Sequence, residues 1–355
     1  MIKESYYNIH NILKFKLVSE KENWLEFLDR QFKYFSIDID KEDDMDFEFR
    51  LGEMPISLKT DTLKVGKYLV KEGIIYWEDS RKFGKWKIAI KGLNEKKTTI
   101  FFDGNDLSCK YLFYQVIEPL FYYKLSLKGY ILLHSSCVGD GERAFAFPAL
   151  LGTGKTSLLL LLLEHGMKEY FSDDFTIFSK EGIVYNYPTP ISLFDYNVAK
   201  CPFIKKRLTA WERILIARNS WIYKLSAGFA KPPLFANLDS VFPEIQIGNS
   251  KPLSAIFLLK TTTNNNFFIK EDVEGSVLIP GLMWINKFEF NSFLNFIEAY
   301  SYGNPQKGVF SHWEEFKNNL LGLLKSTKCH EIYIPQKFDY RNKEFLDSLQ
   351  KIMAK

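Results

Sequence analysis

The segment ALLGTGKT, which begins at Ala149, has the spacing of a phosphate-binding loop. It matches the pattern G-x-x-x-x-G-K-[ST] at every fixed position except the first, where Ala149 replaces glycine. Glycines at 152 and 154 let the backbone turn its N–H groups inward around phosphate oxygens. Lys155 supplies a charge for the β- and γ-phosphates of ATP, and Thr156 a hydroxyl for Mg²⁺. The expected nucleotide-binding residues are Gly152, Thr153, Gly154, Lys155, Thr156 and Ser157.

Two adjacent carboxylates, Asp173 and Asp174, follow the short apolar run Tyr170–Ser172. At this distance from a phosphate loop, one carboxylate can hold Mg²⁺ while the other accepts the proton of an attacking hydroxyl. We expect Asp173 to be the base, and Asp174 to bind the metal together with Thr156. A solvated turn or a helix cap is the alternative for such a pair.

His134 interrupts an apolar run as part of the segment LLHSSC, which begins at Leu132. A polar His-Ser-Ser sequence at the end of a strand beside the loop favours a role for His134 near the γ-phosphate. A purely structural histidine is the alternative. The other histidines of the chain have no comparable setting.

The elements around the loop fit this chemistry. Arg143–Phe147 reads as an apolar strand that enters the loop, and Gly139-Asp140-Gly141 reads as the hairpin turn that joins it to the strand Ile131–Val138. Six consecutive leucines follow Ser157, which predicts a buried helix that ends at Gly166. The N-terminus of that helix favours bound phosphate through its dipole.

The remaining pattern predicts two domains, with the boundary beside a helix at Leu107–Leu127. Residues 1–125 read as a strand-rich α+β domain, and residues 126–355 as an α/β domain that contains the loop. Downstream, the pattern predicts three helices and two strands: helices at Trp211–Tyr223, Phe288–Tyr300 and Trp313–Leu324, and strands at Leu253–Leu259 and Glu331–Ile334.

Composition excludes several classes of function. Forty-seven basic and 43 acidic residues leave a formal charge of +4, without the concentrated basic field of a nucleic-acid-binding protein. The four cysteines lie far apart, which argues against a disulfide framework or a zinc site. Neither a signal peptide nor a stretch of ~18 apolar residues is present, so we expect a cytoplasmic protein with no membrane partner.

The order of four short motifs resembles the catalytic core of HPr kinase/phosphorylase and its stand-alone relatives, which include kinases in peptide-modification clusters. The motifs are HSS from His134, GTGKT from Gly152, SDD from Ser172 and YPTPISL from Tyr187. The resemblance covers residues 129–193 well, and residues 252–260 and 331–335 more weakly. Ala149 departs from the family's glycine. YPTPISL resembles the stand-alone relatives rather than the glycine-rich segment of HPr kinases themselves.

The resemblance implies a P-loop kinase core like that of HPr kinase and phosphoenolpyruvate carboxykinase, with ATP and Mg²⁺ as ligands. It also implies transfer of phosphate to a serine hydroxyl of a protein or peptide, and it is compatible with a homo-oligomer. Carried onto this chain, His134 touches the transferring phosphate, Lys155 and Thr156 hold ATP and metal, and Asp173 with Asp174 act as base and metal ligand.

Other functions stay open at this point. LSAG from Leu225 resembles part of an ABC-type ATPase signature, but the acidic strand that should follow it is missing. A nucleotide-gated binding protein without phosphate transfer and a kinase for a small molecule are the remaining alternatives. The sequence identifies neither the phosphate acceptor nor which of Arg207, Arg213 and Arg218 assists transfer.

Overall fold

The computed structural model describes residues 2–38, 45–55, 62–81, 83–305 and 311–355. The chain is a mixed α/β protein, as the sequence predicts. It divides into two compact units: residues 1–129 with 289–316, and residues 130–288 with 317–355. Among the described helices, none has both the length and the apolar character needed to cross a membrane.

The first unit contains an eight-stranded mixed sheet in the order β1-β2-β3-β8-β7-β6-β5-β4, in which β3 runs parallel to both β2 and β8. Its elements are β1 (Lys3–Ile9), β2 (Leu13–Ser19), α1 (Glu22–Gln31), β3 (Phe47–Leu51), β4 (Leu63–Val65), β5 (Tyr68–Lys71), β6 (Ile74–Arg81), β7 (Gly84–Lys91), β8 (Thr98–Gly104), α2 (Cys109–Leu112), α3 (Glu118–Leu127) and α10 (Asn291–Gly303).

Aromatic side chains fill the core of this unit. Phe121 on α3 lies within 6 Å of the rings of Phe15, Phe32 and Phe47. The helix predicted over residues 107–127 is instead a series of short 3₁₀, α-, π- and α-helical segments. Pro119 accounts for the wide π turn before it, because proline lacks an N–H and crowds the carbonyl four residues earlier.

Residues 289–316 return to the first unit, whereas the predicted boundary near residue 125 makes each domain one continuous segment. Two aromatic contacts explain the return. The rings of Phe296 and Trp77 stack with centroids 5.1 Å apart, and those of Phe290 and Tyr122 with centroids 4.8 Å apart. Phe290 also separates two helices at a point where the sequence pattern predicts one continuous helix.

The second unit contains a nine-stranded mixed sheet and a two-stranded sheet. Its elements are β9 (Tyr130–Gly139), β10 (Ala144–Pro148), α4 (Lys155–Glu164), β11 (Glu169–Ser172), β12 (Phe175–Ser179), β13 (Ile183–Tyr185), β14 (Ile191–Leu193), α5 (Asp195–Lys200), α6 (Pro202–Arg207), α7 (Ala210–Leu225), β15 (Leu234–Ala236), α8 (Leu238–Val241), β16 (Gln246–Ile247), β17 (Lys251–Thr262), β18 (Phe268–Lys270), α9 (Gly275–Glu289), α11 (His312–Ser326), β19 (Lys328–Pro335) and α12 (Lys343–Ala354).

The strand–loop–helix arrangement predicted around residue 150 is present. β10 pairs antiparallel with β9 across the Gly139–Gly141 turn and parallel with β17. The chain then passes through the loop into α4, whose six leucines, Leu158–Leu163, are each at most 4% exposed. Because α4 is apolar on all sides, it packs as a fully enclosed helix, and this fixes where its N-terminus lies.

Candidate functional site

Strand register brings three separated segments to one point of the second unit. β10 ends with Pro148 opposite Ser135 of β9, and the Ala149 N–H donates to the carbonyl of His134. β11 and β12 pair with β9 in nearly continuous register, interrupted by the bend at residues 173 and 174. The Ser135 N–H donates to the carbonyl of Asp174 at 3.0 Å. The loop, the histidine and the acidic pair therefore meet beside the middle of β9.

The loop has the backbone that its glycines predict. Gly152 has φ +81° with open space where a Cβ would project, and Gly154 has φ +107°. A side chain is strained at either φ, so glycine is required at both positions. α4 begins at Lys155 directly after this turn, which leaves the first N–H groups of the helix for an anion to accept from.

Lys155, His134 and Asp174 form a connected polar chain. The His134 Nε2 lies 2.9 Å from the Lys155 Nζ and 3.0 Å from the Asp174 Oδ1. One imidazole nitrogen cannot accept from lysine and donate to aspartate at once, so the chain has two alternative proton arrangements. His134 and Lys155 are buried, whereas the Asp174 side chain is 46% exposed.

Asp173 has a different environment from its neighbour. It is 4% exposed, and its Oδ2 accepts a hydrogen bond from the Thr156 hydroxyl at 3.2 Å. Burial raises the pKa of Asp173 to about 7, and the adjacent Asp174 charge adds to this rise. Partial burial of the half-exposed Asp174 side chain also opposes its ionisation, but the hydrogen bond and charge of His134, together with Lys155, hold its pKa below the ordinary range.

The two carboxylates thus have partners that differ from those expected. Thr156 contacts Asp173, whereas the sequence reasoning pairs Thr156 with Asp174 as the metal ligands. The cause is local geometry: consecutive residues at the end of a strand point in opposite directions, and β11 directs Asp173 toward the start of α4. Asp174 then faces His134 on β9.

Three residues that the sequence reasoning missed support this site. Asn286 on α9 donates to the carbonyl of Leu132 and accepts from the His134 N–H, which anchors the backbone of β9 at the histidine. Asn197 on α5 donates to the Ser157 hydroxyl at 3.1 Å. The Tyr340 hydroxyl donates to the carbonyl of Thr153 at 2.7 Å. These residues lie 40 to 187 positions from their partners, and no sequence motif marks them.

The donor atoms beside the loop fit Mg²⁺. Mg²⁺ takes oxygen ligands, keeps several waters and is commonly held by one or two protein groups plus substrate phosphates. The Thr156 hydroxyl and the Asp173 carboxylate supply such oxygens, and the Asp173 Oδ1 is buried without a hydrogen-bond partner among the described residues. Within the same residues, His, Cys, Asp and Glu form no cluster of three or more that suits a metal held by protein ligands alone.

The three arginines that the sequence analysis considers for assisting phosphoryl transfer have different surroundings. Arg207 pairs with Glu164 and Glu244, which engages its guanidinium in the fold. Arg213 and Arg218 lie on α7.

No protein-family model matches the sequence, and no curated protein matches it significantly.

Proposed function

We propose that this protein is an ATP-dependent phosphotransferase, with a P-loop kinase core similar to that of HPr kinase and phosphoenolpyruvate carboxykinase. The acceptor in this proposal is a hydroxyl, most simply a serine of a protein or peptide. One observation supports the proposal: the glycine-containing loop and the two adjacent carboxylates lie side by side. The loop with Lys155 and Thr156 would bind the phosphates, and Asp173 and Asp174 lie next to it.

The geometry favours one division of roles between the carboxylates. Asp173 is enclosed and touches the Thr156 hydroxyl, so we assign these two residues to Mg²⁺, which would neutralise charge on the β- and γ-phosphates. Asp174 is half-exposed, and His134 orients it. A base must come within hydrogen-bond reach of the acceptor's proton, and a bulky acceptor can approach the half-exposed carboxylate more readily than the buried one. We therefore assign the base to Asp174, the reverse of the expectation from sequence.

The proposed reaction balances as a single displacement. The acceptor hydroxyl oxygen forms a bond to the γ-phosphorus, its proton passes to Asp174, and the bond to the bridging oxygen breaks to release ADP. Lys155 contributes a positive charge where the β- and γ-oxygens of ATP would lie. His134 holds the Asp174 carboxylate and stabilises its ionised form.

This division also bears on the alternative of a nucleotide-gated binding protein. Such a protein needs the loop, but it does not need an exposed carboxylate that a buried histidine orients beside it. The Asp174–His134 pair therefore favours transfer over gating.

The test uses γ-labelled ATP and Mg²⁺ with the proteins and peptides of the native cell, followed by mass spectrometry for new phosphoserine. We expect labelled acceptors with the wild-type protein and none with Asp174→Asn or Lys155→Ala. An Mg²⁺ titration separates the roles: Asp173→Asn should raise the half-maximal Mg²⁺ concentration by about 10-fold or more. Binding of ATP without any labelled product would favour the gated binding protein.

A further inference from the structure

Helix α7 leaves most of its large apolar side chains in solvent. Of its 16 residues, only Ile216 and Asn219 are buried. The exposed fractions are 66% for Trp211, 57% for Ile214, 63% for Trp221 and 82% for Leu225. Single exposed apolar residues on a surface are ordinary, whereas several large ones on one helix make a candidate binding surface.

These side chains form one line along the helix. The positions 211, 214, 218, 221 and 225 are separated by three or four residues in turn, which is the spacing of a single face made for an apposed partner. We call this face the α7 stripe, and it comprises Trp211, Ile214, Arg218, Trp221 and Leu225. Arg218 stands in the middle of it as the single charge.

The charge around the stripe is strongly positive. Residues 195–231 carry eight basic and two acidic side chains, although the whole chain carries 47 and 43. Both acids are engaged locally: Glu212 caps the start of α7 with Thr209, and Asp195 accepts from the Ser220 hydroxyl. Among the described residues, no carboxylate forms an ion pair with Arg213, Arg218 or Lys224.

The opposite side of α7 connects to the candidate site. Ser220 donates to Asp195 at 2.7 Å, and Asp195 begins α5. Asn197, two residues later, donates to Ser157 in α4 at 3.1 Å. Lys231, which follows α7, lies 4.4 Å from the ring centroid of Tyr196. A segment bound on the stripe is therefore held by elements that directly support the phosphate loop.

We infer that the α7 stripe is the docking surface for the acceptor polypeptide, through an acidic, apolar segment of that acceptor. This inference rests on the proposed function. Apolar residues of the segment would cover Trp211, Trp221 and Leu225, and one of its carboxylates would face Arg218. Docking at a distance from the reacting serine raises the local concentration of that serine at the candidate site. The site itself then needs little selectivity for the residues beside the serine.

Two other occupants fit less well. A second copy of this chain would bring two segments with the same excess of basic side chains together, and like charges oppose such an interface. A lipid surface suits Trp and Leu flanked by basic residues, but Arg218 at the centre would have to enter the apolar boundary with them, which is costly. A polypeptide can offer a carboxylate at that one position.

The experiment uses two synthetic 16-residue helical peptides, one with leucines at heptad spacing and glutamates elsewhere, the other with lysines in place of the glutamates. Titration into the full chain is followed by tryptophan fluorescence and calorimetry at low and high salt. We expect the acidic peptide alone to bind, more weakly at high salt. Arg218→Glu and Trp221→Ala should each reduce its affinity by about 10-fold or more. The matched control is Trp284→Ala, which removes a similarly exposed tryptophan from α9 and should leave the affinity for the peptide unchanged.

Several results would overturn the inference. The stripe does not select an acidic segment if both peptides bind equally or if neither binds. The same conclusion follows if the acidic peptide binds Arg218→Glu as tightly as wild type. Partition into phosphatidylglycerol vesicles that depends on Trp221, without peptide binding, assigns the stripe to lipid. A dimer in sedimentation velocity that Trp221→Ala dissociates assigns it to a second copy.

A serine substrate links docking to transfer. The acidic peptide, joined by a linker of glycines alone to a serine-containing segment, should be phosphorylated at least about 10-fold more efficiently than that segment with the same linker alone. Equal rates would overturn the acceptor role of the stripe. Binding without phosphorylation of either substrate would instead count against the proposed kinase activity, because the binding titration needs no ATP.

Discussion

Each unit of the chain buries a charged cluster, and the two clusters are organised in opposite ways. In the first unit, Glu48 on β3 is almost fully enclosed, and Lys16, Arg50 and Lys97 surround it. Burial opposes ionisation of Glu48, but a hydrogen bond from Lys97 and the neighbouring positive charges outweigh it and hold its pKa below the ordinary range. In the second unit, burial and Asp174 raise the pKa of Asp173 to about 7.

The difference is the one expected between a structural cluster and a ligand-binding one. Around Glu48 every charge has a partner in the fold, so a ligand has nothing left to satisfy. Around Asp173 two carboxylates stand together, and Lys155, whose charge lowers the pKa of both, contacts His134. A pKa raised by burial and a like charge is common at active sites, because the missing counter-charge arrives with the ligand.

The largest effect is expected for Asp174→Asn. It removes the exposed carboxylate assigned as base, and a positioned base contributes about 10²- to 10⁴-fold to the rate of transfer. ATP binding by calorimetry should persist. The matched control in the other unit is Glu48→Gln, which also neutralises a carboxylate and should leave transfer per folded molecule unchanged. Near wild-type transfer by Asp174→Asn would make the acidic pair a structural turn.

Next is Lys155→Ala, which removes the positive charge expected beside the β- and γ-phosphates. Loss of one donor to developing charge costs about 10²- to 10³-fold in rate, and here ATP affinity should fall as well. Lys97→Ala is the control, because Glu48 keeps Lys16 and Arg50 as partners. Unchanged calorimetric binding of ATP by a folded Lys155→Ala protein would refute the nucleotide assignment.

The pH dependence of stability should have opposite signs in the two clusters. Without nucleotide or Mg²⁺, native Asp173 keeps its proton between about pH 4 and pH 7 while the unfolded chain has lost it, so its contribution to the free energy of unfolding falls as pH rises through that window. Glu48 stabilises the fold above its ordinary pKa, and this contribution is lost as pH falls through its lowered native value.

Neutral substitutions at Asp173 and Glu48 should therefore change the free energy of unfolding in opposite directions. At pH 8 we expect Asp173→Asn to be more stable than wild type, by an amount on the order of 4 kcal/mol, since the pKa of Asp173 is about 7 instead of about 4 and one pKa unit corresponds to about 1.4 kcal/mol. Glu48→Gln should be less stable than wild type at the same pH. Urea unfolding at pH 4, 6 and 8 measures both changes. Destabilisation by Asp173→Asn at pH 8 would show that the carboxylate is compensated within the fold, like Glu48.

The local parts of the site could be predicted from sequence, and the long-range parts could not. The loop, the buried leucine helix and the hairpin that places His134 beside β10 follow from glycine spacing, apolar runs and a turn signal within about 35 residues. Their arrangement confirms those predictions. The functions assigned to them stay predictions.

Long-range contacts explain what the sequence reasoning missed. The bend between β11 and β12 decides which carboxylate faces Thr156. A shift of this bend by one residue would exchange the directions of the two side chains. The return of residues 289–316 to the first unit depends on aromatic contacts between distant positions. A local sequence pattern predicts neither arrangement, because each depends on contacts with residues that are distant in the chain.

The smallest effect is expected for Tyr340→Phe, which tests how a distant residue shapes the loop. The Tyr340 hydroxyl donates to the carbonyl of Thr153 at 2.7 Å, and a Cβ at Gly154 would lie 2.6 Å from the tyrosine ring. In a planar trans peptide the carbonyl and the next N–H point in opposite directions. Holding the Thr153 carbonyl toward Tyr340 therefore turns the Gly154 N–H to the other side of the peptide plane.

If that N–H serves the phosphates, loss of the Tyr340 hydroxyl weakens ATP binding by about 2- to 10-fold, the equivalent of one neutral hydrogen bond of 0.5–1.5 kcal/mol. The phenylalanine ring keeps its packing, so the thermal midpoint should change little. Inorganic tripolyphosphate should lose the same factor, because the hydroxyl acts on the phosphate cradle and not on the nucleoside. The control is Tyr333→Phe, which removes a hydroxyl that donates to Glu331 and should leave both affinities unchanged. A loss for ATP without a loss for tripolyphosphate would place the influence of Tyr340 on the nucleoside and contradict this account of the loop.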